Sequence, residues 1–382
     1  MTTLLELDEP YRSIQDEARA LAEKLAPIAI EADNSNELHP EVLSLVRDSG
    51  LMDLMVPAAH GGRFERVDPV AVCVVREALM AECSHADSLF ALQGIGSFAV
   101  TTGGSPEQQA EWLPRVATGE VLAGLALTEP VAGSDLKGIT TTFEERDGTI
   151  VLDGHKSFIS NAGVAGFYTV LAKDRTSEGA GLSALLVPAD LPGISVEAAP
   201  ELIAPHVLGD VIFDGVELPA AARLGEPGKG LALVLATLAC FRISVAAASV
   251  GLAQTALEEA TRHARTREQF GRPLARLGPV AALLADSWAD VASTRLLTYQ
   301  AAELAKDDPL AHLEHSSLAK LAATEACGRV VDRCVQVMGR WGIIRDSRIE
   351  RCYRQARPMR IYEGASEVLR LGIARRLCEE VG

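Results

Sequence analysis

The hydrophobic and polar positions divide the chain into stretches of different periodicity. Up to about residue 120, apolar residues recur at helical spacing, most clearly in residues 11–32, where Ala18, Leu21 and Leu25 share one face. Further helices are predicted at residues 40–49, 70–81 and 88–101, and after the Gly103-Gly104-Ser105-Pro106 turn. This part of the chain is therefore predicted to be all helical.

Between residues 121 and 227, short β-branched and aromatic runs replace the helical periodicity. The turn signals Asp147-Gly148, Asp153-Gly154 and Pro192-Gly193 separate them. Strands are predicted at residues 141–143, 149–152, 167–171, 183–187, 211–213 and 216–218. Short strands at this spacing indicate a small barrel or sandwich.

From residue 228 onward, long apolar helices return at residues 231–265, 280–306, 313–338 and 365–380, with the apolar density of a helical bundle. The pattern thus predicts an α+β multidomain protein. Its domains would be an N-terminal helical domain (1–120), a middle β domain (121–227) and a C-terminal helical bundle (228–382).

Composition narrows the possible partners. The net charge of −16, from 52 acidic against 36 basic residues, argues against nucleic acid or an anionic membrane as the main partner. The seven cysteines are scattered without a CxxC pair, which indicates reduced, buried thiols and no metal site. The N-terminal residues do not follow the pattern of a signal peptide, and no uncharged apolar run of about 18 residues occurs. We therefore expect a cytoplasmic protein.

The tetrapeptide Ile361-Tyr362-Glu363-Gly364 places a carboxylate between an aromatic residue and a glycine, where a helix is predicted to begin. Two interpretations stay open on these residues alone. Glu363 could be a catalytic base, or it could stabilise the positive end of the helix that follows.

Two further segments could hold a cofactor. The loop at residues 126–135 offers two hydroxyls and backbone N–H groups, suited to a pyrophosphate or a flavin edge, although it could simply join two domains. In residues 154–163, Phe158 could cover a flavin ring while Ser160 donates to its edge, although this could equally be an ordinary strand and turn. Arg267 could pair with a phosphate, or it could be a solvated surface charge.

Taken together and in this order, the segments resemble the acyl-CoA dehydrogenase family of flavoproteins over essentially the full chain. The run from Leu127-Thr128-Glu129-Pro130 to Ala132-Gly133-Ser134-Asp135 is similar to one family signature, and Ile361-Tyr362-Glu363-Gly364 is similar to another. Trp112-Leu113-Pro114 and Gln269-Phe270-Gly271 also stand in family order.

The resemblance implies a helical domain, a β domain and a C-terminal four-helix bundle, with FAD as cofactor and a homotetramer or dimer as the assembly. It also implies that Arg267, Phe270 and the Gln336–Arg340 segment reach FAD in a neighbouring subunit. The FAD-binding residues that it implies are Leu127, Thr128, Gly133, Ser134, Phe158, Ser160, Arg267, Phe270, Gln336, Gly339, Ala365 and Glu367.

The resemblance further implies that Glu363 removes the α-proton of an acyl thioester while the β-hydrogen leaves as hydride to flavin N5, giving a trans-2-enoyl thioester. Arg242 would orient Glu363 or bind substrate, and Phe241, at the position of an alternative family base, could not serve as one. The substrate would be an acyl-CoA or an acyl-carrier-protein thioester, and electron-transferring flavoprotein would be the electron acceptor. The implied substrate-binding residues are Ser134, Arg242, Tyr362 and Gly364.

Six positions, at four places in the chain, depart from the family pattern. Ala365 replaces a threonine, Arg340 replaces a glycine and Ala239 replaces an acidic residue, while His206-Val207-Leu208 replaces Ser-Asp-Thr. Two alternatives to the dehydrogenase remain on the same fold. One is a flavin-dependent oxidase or monooxygenase, against which the presence of Glu363 argues. The other is a non-catalytic partner subunit of a hetero-oligomer.

Overall fold

The computed structural model describes residues 5–175 and 181–381. Contacts within the chain define two compact units. The first unit comprises Met1–Asn34, Pro69–Asp87 and Arg242–Gly382, and the second comprises Ser35–Asp68 and Ser88–Phe241.

Helices make up most of the described chain. They are α1 (Tyr11–Leu25), α2 (Ala29–Asp33), α3 (Pro40–Asp48), α4 (Pro69–Met80), α5 (Ser84–Gly103), α6 (Pro106–Ala117), α7 (Gly230–Thr266), α8 (Gly278–Leu304), α9 (Leu313–Met338), α10 (Arg348–Ala356) and α11 (Ser366–Val381). The prediction for residues 313–338 coincides with α9. The prediction of one helix at residues 11–32 is wrong, because two helices flank Pro27, which cannot donate a helical hydrogen bond.

The second unit contains an eight-stranded sheet in which the strands follow the order β6-β7-β3-β2-β4-β5-β8, and β1 pairs with β4. The strands are β1 (Ala123–Ala126), β2 (Thr142–Arg146), β3 (Thr149–Ser160), β4 (Phe167–Asp174), β5 (Leu182–Pro188), β6 (Ile194–Ala198), β7 (Leu208–Pro219) and β8 (Arg223–Leu224). The described residues thus confirm the predicted order of helices, strands and helices. The domain boundaries at residues 120 and 227 stay a prediction.

Strand β7 corrects one detail of the sequence analysis. Residues 211–213 and 216–218 were expected to form two strands, but they belong to one strand that continues through Asp214 and Gly215. Gly215 has a φ of +60°, and its N–H donates to the Asp153 carboxylate over 2.8 Å, so the apparent turn is accommodated within the strand. Of the strands in this sheet, β1, β6 and β8 were not predicted.

Among the described residues, α7 is the one helix whose length and apolar composition would allow it to cross a membrane. However, 72% of its most apolar window is buried inside the protein. Burial of that extent is what the core helix of a folded protein shows, so this helix is weak evidence for a membrane span.

Candidate active site

The loop that carries Glu363 lies in the first unit, between a short 3₁₀ turn at Pro358–Arg360 and the start of α11. Glu363 has a φ of +51° and Gly364 a φ of +103°. Left-handed backbone suits glycine but costs energy for a glutamate, and such residues are concentrated at functional sites. The sequence therefore places glycine where it is needed, while the strain at Glu363 calls for support from its surroundings.

Two buried cations supply this support. Arg242 on α7 donates from Nε to the carbonyl oxygen of Glu363 over 2.8 Å, and its Nη1 lies 3.4 Å from the Ser317 hydroxyl. Lys320 on α9 donates from Nζ to the carbonyl oxygen of Gly364 over 2.8 Å. Two consecutive carbonyl groups of the loop are thus held by charged donors, whose hydrogen bonds are stronger than neutral ones.

The surroundings of the Glu363 side chain suit a carboxylate that accepts a proton. Its Oε2 atom is buried and has no hydrogen-bond partner among the described residues. Burial raises the pKa of Glu363, and this effect outweighs the opposing charges of Arg76, Lys320 and Arg242. A carboxyl group with a raised pKa holds an abstracted proton more readily than an exposed one would.

A buried ion pair in the same unit, between Arg76 and Asp87, also acts on Glu363. Arg76 on α4, which is 3% exposed, donates from Nε and Nη2 to the Asp87 carboxylate over 2.9 and 2.7 Å. Its Nη1 donates to the Ser244 hydroxyl over 2.9 Å. Among the nearby charges, Arg76 has the largest lowering effect on the pKa of Glu363, and Asp87 opposes it. Sequence reasoning found neither residue.

In the second unit, the structure brings together the two segments predicted to contact a flavin. The carbonyl oxygen of Leu127 accepts from Lys156 Nζ over 3.0 Å, and that of Thr128 accepts from Ser157 N over 2.8 Å. The loop that follows β1 is therefore attached to β3 immediately before Phe158.

A buried ion pair fixes this attachment. Glu129 and Lys156 are fully buried, with 2.9 Å between Oε1 and Nζ. Glu129 also accepts from the main-chain N–H groups of Thr140 and Thr141 and from the Thr140 hydroxyl. Burial alone would raise the pKa of Glu129, but the hydrogen bonds lower it to about 2. Glu129 and Lys156 thus serve to hold the loop in place.

Phe158 and Ser160 lie at the end of β3, where the pairing with β7 shifts register. Phe158 is 52% exposed and has a φ of +55°, and its N–H donates to the Asp210 carboxylate over 3.1 Å. An exposed aromatic ring on a strained backbone suits a ring-stacking role. The Ser160 hydroxyl lies 2.8 Å from Nε2 of His206, one of the departures from the family pattern.

Gly133 and Ser134 are exposed, and a Cβ atom added at Gly133 would meet nothing within 4 Å. Their backbone follows a tight turn in which Glu129 and Ala132 exchange hydrogen bonds of 2.9 and 3.1 Å. The open space beside Gly133 is compatible with the approach of a ligand.

Arg267 and Phe270 belong to the first unit and are exposed there. Strands β9 (Glu268–Gln269) and β10 (Arg272–Pro273) form a hairpin whose tip is Phe270-Gly271, with φ values of +52° and +73°. Positive φ at both turn residues is the requirement of a type I′ turn, usually met by asparagine and glycine. Phe270 meets it while 90% exposed, so its ring is available to a partner or cofactor.

Gln336 and Gly339 lie at the exposed end of α9. Gly339 has φ and ψ of 57° and −131°, a conformation for glycine, and it is followed by Arg340, whose guanidinium stands 5.2 Å from the centre of the Trp341 ring. Arg340, which stands where the family has a glycine, thus packs its guanidinium against the ring of Trp341.

The remaining predicted residues flank Glu363. Tyr362 is 40% exposed, Ala365 is partly buried, and Glu367 is exposed on the first turn of α11, 3.8 Å from Arg370. The structure thus groups Arg242, Tyr362, Glu363, Gly364 and Ala365 around one loop. Their roles, like those of the flavin segments, stay predictions.

Lys320, like Arg76 and Asp87, acts on this loop and was missed by sequence reasoning. A signal for it was present, because Ser316, Lys320, Ala323 and Thr324 all lie on the buried face of α9. A lysine in the apolar stripe of a helix indicates a charge with a buried partner.

Comparisons with known proteins identify the family of the chain. The chain matches the family models "Acyl-CoA dehydrogenase, N-terminal domain" over residues 8–120, "middle domain" over residues 124–216 and "C-terminal domain" over residues 228–378. The chain belongs to the acyl-CoA dehydrogenase family.

Individual relatives resemble the chain over nearly its whole length. Cyclohexane-1-carbonyl-CoA dehydrogenase of Geobacter metallireducens is 34% identical, covering 97% of this chain and 98% of the relative. The structure of butyryl-CoA dehydrogenase from Megasphaera elsdenii superposes with a TM-score of 0.93 at 27% identity, covering 98% of this chain and 99% of that one. An acyl-CoA dehydrogenase complexed with FAD from Bacillus anthracis gives a TM-score of 0.91 at 26% identity, covering 100% of this chain and 68% of that one.

Proposed function

We propose that the protein is an FAD-dependent acyl-CoA dehydrogenase that converts a saturated acyl thioester to its trans-2-enoyl form. Family membership supports the activity. The observation that carries the chemistry is the state of Glu363: its Oε2 atom is buried without a hydrogen-bond partner among the described residues, and its main-chain carbonyl oxygen is held by Arg242.

Glu363 would remove the α-proton of the thioester, forming an O–H bond as the α-carbon–hydrogen bond breaks. Its pKa is raised by burial, so the carboxylate is a stronger base than in water. Arg242 and Lys320 carry positive charge beside the site, which favours the negative charge that develops on the thioester during proton removal.

The residues of the second unit fit a flavin. Phe158 offers a half-exposed aromatic face, Ser160 a hydroxyl, and the loop at residues 127–134 backbone N–H groups beside an open glycine. FAD held by these residues would supply the two-electron acceptor for the hydride that leaves the β-carbon as the α,β double bond forms. Loss of a proton to Glu363 and of a hydride to the flavin balances the oxidation.

The finer assignments are also proposals. A homotetramer or dimer is supported by the exposed Phe270 hairpin. A cytoplasmic location is supported by seven cysteines that are all free thiols. Electron-transferring flavoprotein as acceptor, and a carrier-protein thioester as an alternative to CoA, rest on the family resemblance.

Anaerobic titration of the purified flavoprotein with a panel of saturated acyl-CoAs, followed by flavin absorbance and mass spectrometry, tests the proposal. Bleaching of the flavin with stoichiometric enoyl-CoA is the expected result. A flavin that no acyl-CoA or acyl-carrier protein bleaches would contradict dehydrogenation and favour the oxygen-using alternative. A protein that takes up no FAD would favour a non-catalytic subunit.

A further inference from the structure

Lys320 occupies an unusual position for a lysine. It lies in the middle of α9 with 0% of its surface exposed, and its Nζ donates to the main-chain carbonyl oxygen of Gly364 over 2.8 Å. Its own carbonyl oxygen accepts from the Thr324 hydroxyl over 2.9 Å. The ammonium group thus reaches from the helix to the loop that carries Glu363.

Stability alone does not account for a charge at this position. Moving an ammonium group out of water is costly, and a single carbonyl acceptor does not compensate for this cost as a carboxylate would. Lys156, the other fully buried lysine in the described chain, differs in this respect because it is paired with the Glu129 carboxylate. Lys320 therefore calls for a functional explanation.

The conformation of the loop suggests one. Glu363 and Gly364 are both left-handed, and the carbonyl of the first is held by Arg242 while that of the second is held by Lys320. The two held peptide groups flank the Cα of Gly364 and fix its φ and ψ, and the first of them is also one of the two peptide groups that orient the Cα–Cβ bond of Glu363. Without the second hydrogen bond, rotation of the Gly364 peptide would release the strained backbone.

The balance of charges points the same way. Arg76 and Asp87 form a pair with no net charge, so Arg242 and Lys320 remain to balance the Glu363 carboxylate. Counted over Glu363 and the groups that act on it, namely Arg76, Asp87, Arg242 and Lys320, the sum is one positive charge while Glu363 is ionised. An excess of this sign favours an ionised base and negative charge developing on a substrate.

We propose that Lys320 is a positioning residue for the base: it aims Glu363 by holding the Gly364 carbonyl, and its ammonium supplies the counter-charge of the ionised carboxylate. This inference rests on the proposed function, in which Glu363 removes the proton. It extends that function by predicting that the rate of proton removal falls at alkaline pH.

The charged groups that act on Lys320 come from several elements. They are Glu363 and Glu367 from the loop and α11, Arg242 from α7 and Glu325 from α9 itself. Burial lowers the pKa of Lys320 to about 8, although Glu363 opposes the shift. The ammonium is therefore present below about pH 8 and is lost above it, so the rate of proton removal should fall as pH rises through that value.

Three variants test the proposal: Lys320→Met, Lys320→Arg and, as a control, Thr324→Val. The control removes a buried hydroxyl one turn further along the helix without touching the charge. Substrate-induced flavin reduction is measured against pH. Lys320→Met should lower the rate about 100-fold near neutral pH, the usual cost of a misplaced catalytic group, and should lose the alkaline limb. Lys320→Arg should move that limb to higher pH, since an arginine keeps its charge.

A second readout does not depend on turnover. The titration of the Glu363 carboxyl group is followed by infrared difference spectroscopy against Glu363→Gln. Its midpoint should move to higher pH in Lys320→Met and stay in place in Thr324→Val. Lys320→Arg, in which the charge is kept, should show little change.

Two results would overturn the proposal: an unchanged Glu363 midpoint in Lys320→Met, or a wild-type alkaline limb in Lys320→Arg. The arginine variant also decides the matter if the methionine variant fails to fold. Failure of the proposed function would look different, because wild-type flavin would then stay oxidised with every acyl thioester while the infrared shift could still be present.

Discussion

Arg242 and Glu363 are joined through the main chain of the glutamate: the guanidinium Nε donates to its carbonyl oxygen over 2.8 Å, and the carboxylate Oε2 is left without a partner among the described residues. The arginine thereby fixes the backbone of Glu363 and leaves unbonded the oxygen that would accept a proton in the proposed reaction. An ion pair to the carboxylate would instead have lowered its pKa and weakened the base.

Glu363→Gln should keep FAD bound and lower the rate of flavin reduction by about 10²- to 10⁴-fold, because a neutral amide cannot accept the α-proton. Rapid-reaction absorbance with the best acyl-CoA measures this rate. Glu379→Gln, an exposed carboxyl group on the same helix α11, is the matched control and should behave as wild type. Retention of more than a few per cent of the rate would remove Glu363 from the role of base.

Gly364→Ala should disturb the loop. The added Cβ would lie 3.0 Å from Leu369 Cδ2 and 3.1 Å from Arg242 Nη2, at a φ of +103°. We expect a loss of about 1–2 kcal/mol in the free energy of unfolding, together with a fall in turnover. Gly372→Ala on α11, where a Cβ meets nothing within 4 Å, should stabilise by up to about 1 kcal/mol. Equal effects of the two substitutions in denaturant unfolding would contradict this account.

Lys320→Met should lower activity but leave the free energy of unfolding nearly unchanged at pH 7. A pKa of about 8 in place of 10.5 means that burying the ammonium costs about 3 kcal/mol below pH 8, a cost that fades as pH rises from about 8 to 10.5. The methionine variant avoids this cost but leaves the Gly364 carbonyl without its donor, so we expect a near-neutral change in unfolding free energy at pH 7. A loss of 3 kcal/mol or more would show that the charge contributes net stability.

Lys156→Met should destabilise the second unit by about 3–5 kcal/mol, because it leaves the buried Glu129 carboxylate without its counter-charge. In the wild-type protein, the pKa of Glu129 falls from 4.5 to about 2, so this group's stabilisation is present above pH 4.5 and is lost as pH falls towards 2. Urea unfolding as a function of pH measures both effects. Glu129→Gln should reduce the fall of the unfolding free energy between pH 4.5 and 2. An unchanged fall in this variant would show that Glu129 is not its source.

Arg267→Ala should weaken FAD retention about tenfold or more, the effect of removing one charge-assisted hydrogen bond to a phosphate. Flavin absorbance after extended dialysis measures retention. Arg265→Ala removes a similarly exposed charge two residues earlier and serves as the control. Unchanged flavin content in Arg267→Ala would remove this residue from the phosphate site.

The helices could be predicted because their signals are local. The bounds of α9 follow from apolar residues at helical spacing, and those of α11 from the glycine before it. Strand β7 was divided wrongly because Asp214-Gly215 carries the composition of a turn, and only pairing with β3 on both sides of these two residues shows that the strand continues. Glu363 was found from its immediate neighbours in sequence.

The side chains that act on Glu363 and its loop could not be predicted in the same way. Lys320 is 44 residues from Gly364, and the Arg76–Asp87 pair lies far earlier in the chain, so their contacts depend on how helices pack and not on a local motif. Sequence alone indicated only that a lysine interrupts an apolar stripe. His206 was recognised as a departure from the family pattern. Its hydrogen bond to Ser160 could not be predicted, because it depends on where the loop before β7 lies relative to β3.

The cysteines have a practical consequence. The structure describes all seven, of which six are buried, with the pKa of Cys83, Cys327, Cys334 and Cys352 raised by burial, while Cys378 on α11 is exposed. Thiolates are the reactive form, so the buried thiols are protected from alkylation. The folded chain therefore carries a single natural attachment point for a maleimide dye, on the same helix that begins just after the base, and needs no engineered cysteine for fluorescence or spin labelling.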